Sequence, residues 1–213
     1  MKKTFLFLAL ATLLLLAVKA EAQIGFHAGY APQTLSISGS TDIGDASTTI
    51  RYQGFFAGVH YNFTIRDNFD FVAALQVRMN STSSKSADTG ADYDTQDWQF
   101  IADMPLEFGY AFPLTENLDL GIFVGPVLSY GISYTQKRTD PETYEVINSI
   151  DRYNTNLLSS ALRRFELNVD GGLFLEYKSF MLFGGYRLGL MDLDKMNGVT
   201  TKARGFFVGI GIN

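Results

Sequence analysis

The residues in this sequence that could do acid–base or ion chemistry are spaced by parity. Arg78, Asp103, Glu107, Glu166, Asp170 and Arg187 are each flanked on both sides by apolar or small residues. Asp70, Asp119 and Glu176 share that setting. A charge isolated between apolar neighbours reads as the polar face of a strand whose other face is apolar. If these faces enclose an interior, the deeper charges need partners. Two readings of such a cluster remain open, a structural polar network and a path for protons or ions. Asp170 and Arg187 would form a bidentate pair that pins one hairpin, and Glu107 and Glu166 could share the arginine.

Other chemistries are poorly supported. There are no cysteines, so thiol catalysis and cysteine zinc sites are excluded. The two histidines, His27 and His60, have no patterned acid to complete a metal ligand set. Both should point inward, and no serine stands on an outward face beside either. No catalytic residue, metal ligand or cofactor is therefore expected. The formal net charge is −5 and becomes more negative once Lys2, Lys3, Lys19 and Glu21 are removed with a leader, which argues against a nucleic-acid partner.

The elements that position these charges follow from the stretch Trp98 to Tyr134. Trp98, Phe100, Ala102, Met104, Leu106, Phe108 and Tyr110 alternate with Gln99, Ile101, Asp103, Pro105, Glu107, Gly109 and Ala111. After PLTEN the pattern resumes, with Leu118, Leu120, Ile122, Val124, Pro126, Leu128 and Tyr130 against Asp119, Gly121, Phe123, Gly125, Val127, Ser129 and Gly131. Both strands exceed the ~5–6 residues usual in globular sheets. The same alternation predicts further strands near 24–37, 50–63, 69–80, 162–177, 180–192 and 202–213. Pro32 should mark a bulge or a break in pairing.

Three connections are short, around Thr64–Asn68, Pro113–Asn117 and Lys178–Ser179. Four are long and polar: Ser38–Thr49, Ser81–Gln96, Thr135–Ala161 and Leu193–Thr201. The third of these could extend the strands as a hairpin or cover the mouth. Sorting by length onto two ends is the layout of a membrane barrel, with the short turns periplasmic. FTIRDNFDF (Phe63–Phe71) and FPLTENLDL (Phe112–Leu120) repeat one pattern across a short turn. Aromatics group at two heights. Tyr61, Phe63, Phe69, Phe71, Tyr110, Phe112, Tyr177 and Phe180 lie by the short turns. Tyr52, Trp98, Phe100, Tyr130, Tyr134 and Phe165 lie by the long loops. These would be two interfacial girdles.

Residues 1–22 read as a cleaved signal peptide. Lys2 and Lys3 precede an apolar run, Phe5 to Val18, shorter than the ~20 residues of a spanning helix, and cleavage after Ala22 would leave Gln23 first. Residues 23–213 then form one domain, an all-β, eight-stranded antiparallel transmembrane barrel with up-and-down order. Phe56, Phe123, Phe183 and Phe207 should help fill its lumen.

The stretches GFFAGVHYNFTIRDNFDF, MPLEFGYAFPLTENLDLGIFVGPVLSYG, GGLFLEYKSFMLFGGYRLGLMDL and GFFVGIGIN resemble an outer-membrane β-barrel domain family that includes PorT-like proteins and small porin-like barrels of Bacteroidota. The resemblance implies a Gram-negative outer-membrane location, assembly by the barrel-assembly machinery into outer-membrane lipid, and no common catalytic residues. The chain departs from a frequent pattern by ending Ile212-Asn213 rather than in an aromatic. The expected function is a structural or surface-interaction role without catalysis. The alternative is an accessory part of a secretion or transport machine, with secretion-system proteins as partners. A lipid-modifying enzyme comes last.

Overall fold

The structure, a computed structural model, describes residues 23–41, 44–66, 68–88, 91–140, 143, 145–153, 162–194 and 199–213. The expected leader at 1–22, including Ala22 of the cleavage site, lies outside the described residues. The strands are β1 (Gln23–Tyr30), β2 (Gln33–Thr41), β3 (Gly44–Arg66), β4 (Phe69–Asp88), β5 (Ala91–Thr115), β6 (Leu118–Thr139), β7 (Val146–Asp151), β8 (Phe165–Tyr177), β9 (Phe180–Gly189) and β10 (Val199–Ile212).

They form an eight-strand ring of antiparallel neighbours. β1 and β2 are two halves of one ring strand, since each pairs with both β3 and β10. Ala31 and Pro32 separate the halves. Proline has no N–H to give to a ladder, and it occupies the break. β7 stands outside the ring and pairs only with the upper end of β6.

The distribution of side chains is inverted relative to a soluble sheet protein. Phe26 is 67% exposed and Ile210 66%, whereas Arg78 is 1% and Asp103 0% exposed. Contiguous apolar surface on that scale has lipid as its solvent, and the closed ring satisfies the backbone without water. The outward set on β5 includes Trp98, Phe100, Phe108, Tyr110 and Phe112, as its alternation requires. Near the short turns the girdle runs unbroken across β3, β4 and β5: Tyr61 meets Phe63 at 4.3 Å between ring centres, Phe63 meets Phe71 at 6.0 Å, and Phe71 meets Phe108 at 5.1 Å.

Three expectations are corrected. First, two of the four long connections are largely strand. β2 and β3 stay paired up to Thr41 and Gly44, and β4 and β5 up to Asp88 and Ala91. These ribbons are polar on both sides, so they lack the apolar alternation that marks a strand in sequence while keeping its hydrogen bonds. Second, Tyr52 and Tyr134 do not belong to the upper girdle; each is 1% exposed and points into the lumen. For Tyr134 the cause is a bulge. Phe100 pairs with Ser133 and Ile101 with Gly131, so Ile132 is an extra residue that reverses the parity of everything after it. Third, β8 and β9 are shorter than expected, starting at Phe165 and ending at Gly189.

The repeated turn sequence corresponds to a repeated structure. Thr64 pairs with Asp70 and Arg66 with Phe69; Pro113 pairs with Asp119 and Thr115 with Leu118. Ile65 and Leu114 are therefore equivalent bulge residues, both exposed on the outer rim.

Candidate functional site

The lumen is built in layers, and each layer draws on several strands. Its centre is an ion network. Arg78 on β4 donates from Nε to Oδ2 of Asp103 on β5 at 2.9 Å, and from Nη1 to Gln33 Oε1 on β2 at 2.8 Å. Arg187 on β9 grips Asp170 on β8 through Nε at 2.8 Å and Nη2 at 2.7 Å. Its Nη1 reaches across to Asp103 Oδ2 at 2.8 Å. Asp170 and Arg187 are register partners, as the two-residue turn at Lys178-Ser179 predicts. Asp103 thus joins the two arginines, and the network crosses the lumen from β2 to β9. Two guanidinium groups balance Asp103 and Asp170, which meets the need of buried charges for partners.

The two glutamates of the expected network stand apart from Arg187. Glu166 lies 3.9 Å from Arg78 Nη2 rather than on Arg187, and its Oε2 accepts from Asn168 at 3.1 Å. Glu107 lines a cavity below the network without a hydrogen bond or ion pair to any described residue. Sharing of the arginine by these two residues is therefore corrected. All three nitrogens of Arg187 are engaged by Asp170 and Asp103, and these two carboxylates hold the guanidinium away from a third.

On the long-loop side lies a cluster that sequence reasoning missed. The Tyr52 and Tyr134 hydroxyls are hydrogen-bonded at 2.6 Å, one donating to the other, and both lie within reach of Asp97 Oδ2, at 3.2 and 3.1 Å. Gln136 donates to the other oxygen of Asp97 at 3.0 Å. The parity of Tyr52 against outward Phe55 was a usable signal, but the bulge at Ile132 left none for Tyr134. Tyr153, beyond the end of β7, folds back over Gly131, where a Cβ would stand 2.2 Å from its ring. Arg164 lies over that ring at 5.1 Å. Burial raises the Tyr153 phenol above its ordinary value, and the nearby Glu166 adds to the shift.

On the short-turn side, His27 and His60 are buried, as their parity predicts. Their Nδ1 atoms are 3.2 Å apart; His27 Nε2 faces Gln76 Oε1 at 2.9 Å, and His60 Nε2 faces Asn213 Oδ1 at 2.6 Å. Each imidazole is thus satisfied by polar neighbours. Among the described residues no three His, Cys, Asp or Glu side chains are grouped to hold a metal ion. Between the histidines and the ion network Phe56, Phe123 and Phe207 pack together with Phe174 and Phe183.

Chemically, the arrangement spans the lumen with a salt-linked layer in which the two guanidinium groups face Asp103, Asp170 and Glu166.

No curated protein matches the sequence. Among solved structures the chain is similar to Neisserial surface protein A, at 15% identity over 90% of this chain and 97% of that one, with a TM-score of 0.34. It is also similar to Ail, the attachment invasion locus protein of Yersinia pestis, at 13% identity over 88% and 97%, TM-score 0.37, in a complex with the heparin analogue sucrose octasulfate. A third is the outer membrane protease OmpT from Escherichia coli, at 11% identity over 91% and 97%, TM-score 0.45. Residues 17–195 match the outer membrane protein beta-barrel domain family. With an apolar outer wall, a closed antiparallel ring and a charged interior all in place, the chain belongs to that family and is an outer-membrane β-barrel protein.

Proposed function

We propose that this barrel has a non-catalytic role at the cell surface, presenting its long-loop end to a partner. The observation that carries the reading is the paired extension of β2–β3 and β4–β5 past the apolar band. Ordered hairpins that rise above the membrane hold a fixed face, which mobile loops do not. The salt-linked layer supports a closed lumen rather than a pore. Outer-membrane lipid and the barrel-assembly machinery are its general partners, and no nucleic acid is expected.

The test replaces residues 84–95 by a two-residue Asn-Gly turn, leaving the membrane part intact. The shortened barrel should still assemble and shift on gels when heated, but lose the partner that crosslinking on intact cells captures with the full chain. An unchanged crosslinking pattern would overturn the surface role. A PorT-like accessory role in secretion is the alternative that the sequence resemblance supports, and it predicts cargo trapped in the periplasm on deletion. A lipid-modifying enzyme predicts an altered lipid A mass on deletion.

A further inference from the structure

Below the ion network the lumen holds a chamber of about 90 Å³. Its walls are the rings of Phe56, Phe123, Phe174, Phe183 and Phe207 with Met181, and its upper end is formed by Arg187 and Asp170. It runs down to Asp70 and Glu176, beside the short turns. We propose that this chamber binds a small organic ammonium ion, entering from the periplasmic side, with its nitrogen at Glu107 and its apolar body among the phenylalanine rings.

Two independent observations point to a cation. Glu107 faces the chamber with no hydrogen bond or ion pair from any described residue. The nearest guanidinium, Arg187, has all three nitrogens engaged by Asp170 and Asp103. The two arginines already face Asp103, Asp170 and Glu166, so Glu107 is left without a partner in the chamber wall, and a cationic guest supplies one. The second observation is the rim. Asp119 is the direct register partner of Glu176, and Asp70 lies within electrostatic reach of both. Like charges directly opposite each other destabilise a sheet. No ion pair from a described residue relieves them. Carboxylates around a low-dielectric mouth concentrate cations.

The wall chemistry selects the kind of cation. Among the described residues the side chains are not grouped to ligate a metal ion. Aromatic faces favour an ammonium group through their quadrupoles. An apolar cavity of ~150 Å³ accommodates benzene; this chamber is smaller, so it suits a short alkyl chain, or a single ring that extends into the open lower end. The fitting class is therefore a primary monoamine with a compact apolar body.

The experiment uses protein purified from the outer membrane in detergent, with empty micelles as the blank, and saturation-transfer NMR with three probes of one shape. Benzylammonium should bind saturably, neutral benzyl alcohol about tenfold more weakly or worse, and phenylacetate not at all. Glu107→Gln should weaken benzylammonium about tenfold and leave benzyl alcohol unchanged. Ala74→Leu, which grows a side chain into the chamber, should abolish both. Equal binding of the amine and the alcohol, no saturable amine binding, or wild-type affinity in Glu107→Gln overturns the proposal. If Glu107→Gln fails to reach the heat-modifiable form, Asp119→Asn at the rim decides instead. It should weaken the amine about threefold, and an unchanged affinity overturns the site.

Discussion

Arg187 has three donors in use, two on Asp170 and one on Asp103, so its removal unpairs Asp170 while Asp103 keeps Arg78. Arg187→Leu should therefore destabilise the barrel by about 3–5 kcal/mol, the usual cost of stranding one member of a buried pair. Asp170→Asn combined with Arg187→Gln removes both charges together and should lose less. Urea unfolding midpoints of the two variants in lipid decide it, and a wild-type midpoint for Arg187→Leu would mean that the pair adds nothing to stability. Gly131 is a second sensitive position. A methyl there would overlap the Tyr153 ring, so Gly131→Ala should displace that ring and cost about 1–3 kcal/mol as overpacking. Limited trypsin digestion should then cut faster at Arg152, and unchanged cleavage would mean that the ring moves aside freely. The inward charges were legible in sequence because a charge between apolar neighbours has only one face to occupy. Which carboxylate takes which arginine was not, because cross-lumen contacts such as Arg187 to Asp103 depend on the ring's diameter and stagger rather than on any one strand.

At the scale of elements, the bulge in β6 makes a counter-intuitive prediction. Deleting a residue from a membrane strand ordinarily flips everything beyond it to the wrong face. Deleting Ile132 should not. Gly131 would still oppose Ile101, Ser133 would oppose Phe100 and Tyr134 would oppose Gln99, in a regular ladder. Arg164, which now donates to the carbonyls of Gly131 and Ile132, would lose one acceptor, a cost of about 1 kcal/mol. The thermal midpoint should drop only slightly, whereas deleting Val127 in the same strand should prevent assembly. If both deletions behave alike, the bulge is not where the parity changes. The strand ends show the complementary limit of sequence reading. Pro32 and the three short turns were visible because proline and turn residues act locally. The upper halves of β4 and β5 were not, because Ser81 to Asp97 carries polar residues on both faces and only partner hydrogen bonds hold it extended.

For the whole molecule, the layered lumen predicts electrical silence. The salt-linked layer and the phenylalanine cluster lie one above the other, and an eight-stranded barrel has room for side chains but not for a water column. Purified protein in planar bilayers should give no stable open-channel steps, and large regular steps would contradict the plug. Class and location were legible because inverted polarity is a property of the whole pattern, repeated on every strand. The surface partner we propose would not be legible in this way, since polar hairpin sequences carry no periodic constraint.

The broken strand at Ala31-Pro32 leads to a last consequence. The ring closes where β10 meets the first strand, through two short ladders, Phe26–Tyr30 against Val208–Ile212 and Thr34–Gly39 against Val199–Arg204. These ladders join opposite ends of the chain, so none of the seam exists until β10 has been delivered. Every other ring neighbour is joined through a local hairpin or, for β6 and β8, a single longer excursion. Such a topology separates synthesis from folding in time. We expect the chain to travel as an open, edge-bearing ribbon, with closure of the interrupted seam as its last step. Any chaperone that held such a ribbon would act before the lumen exists.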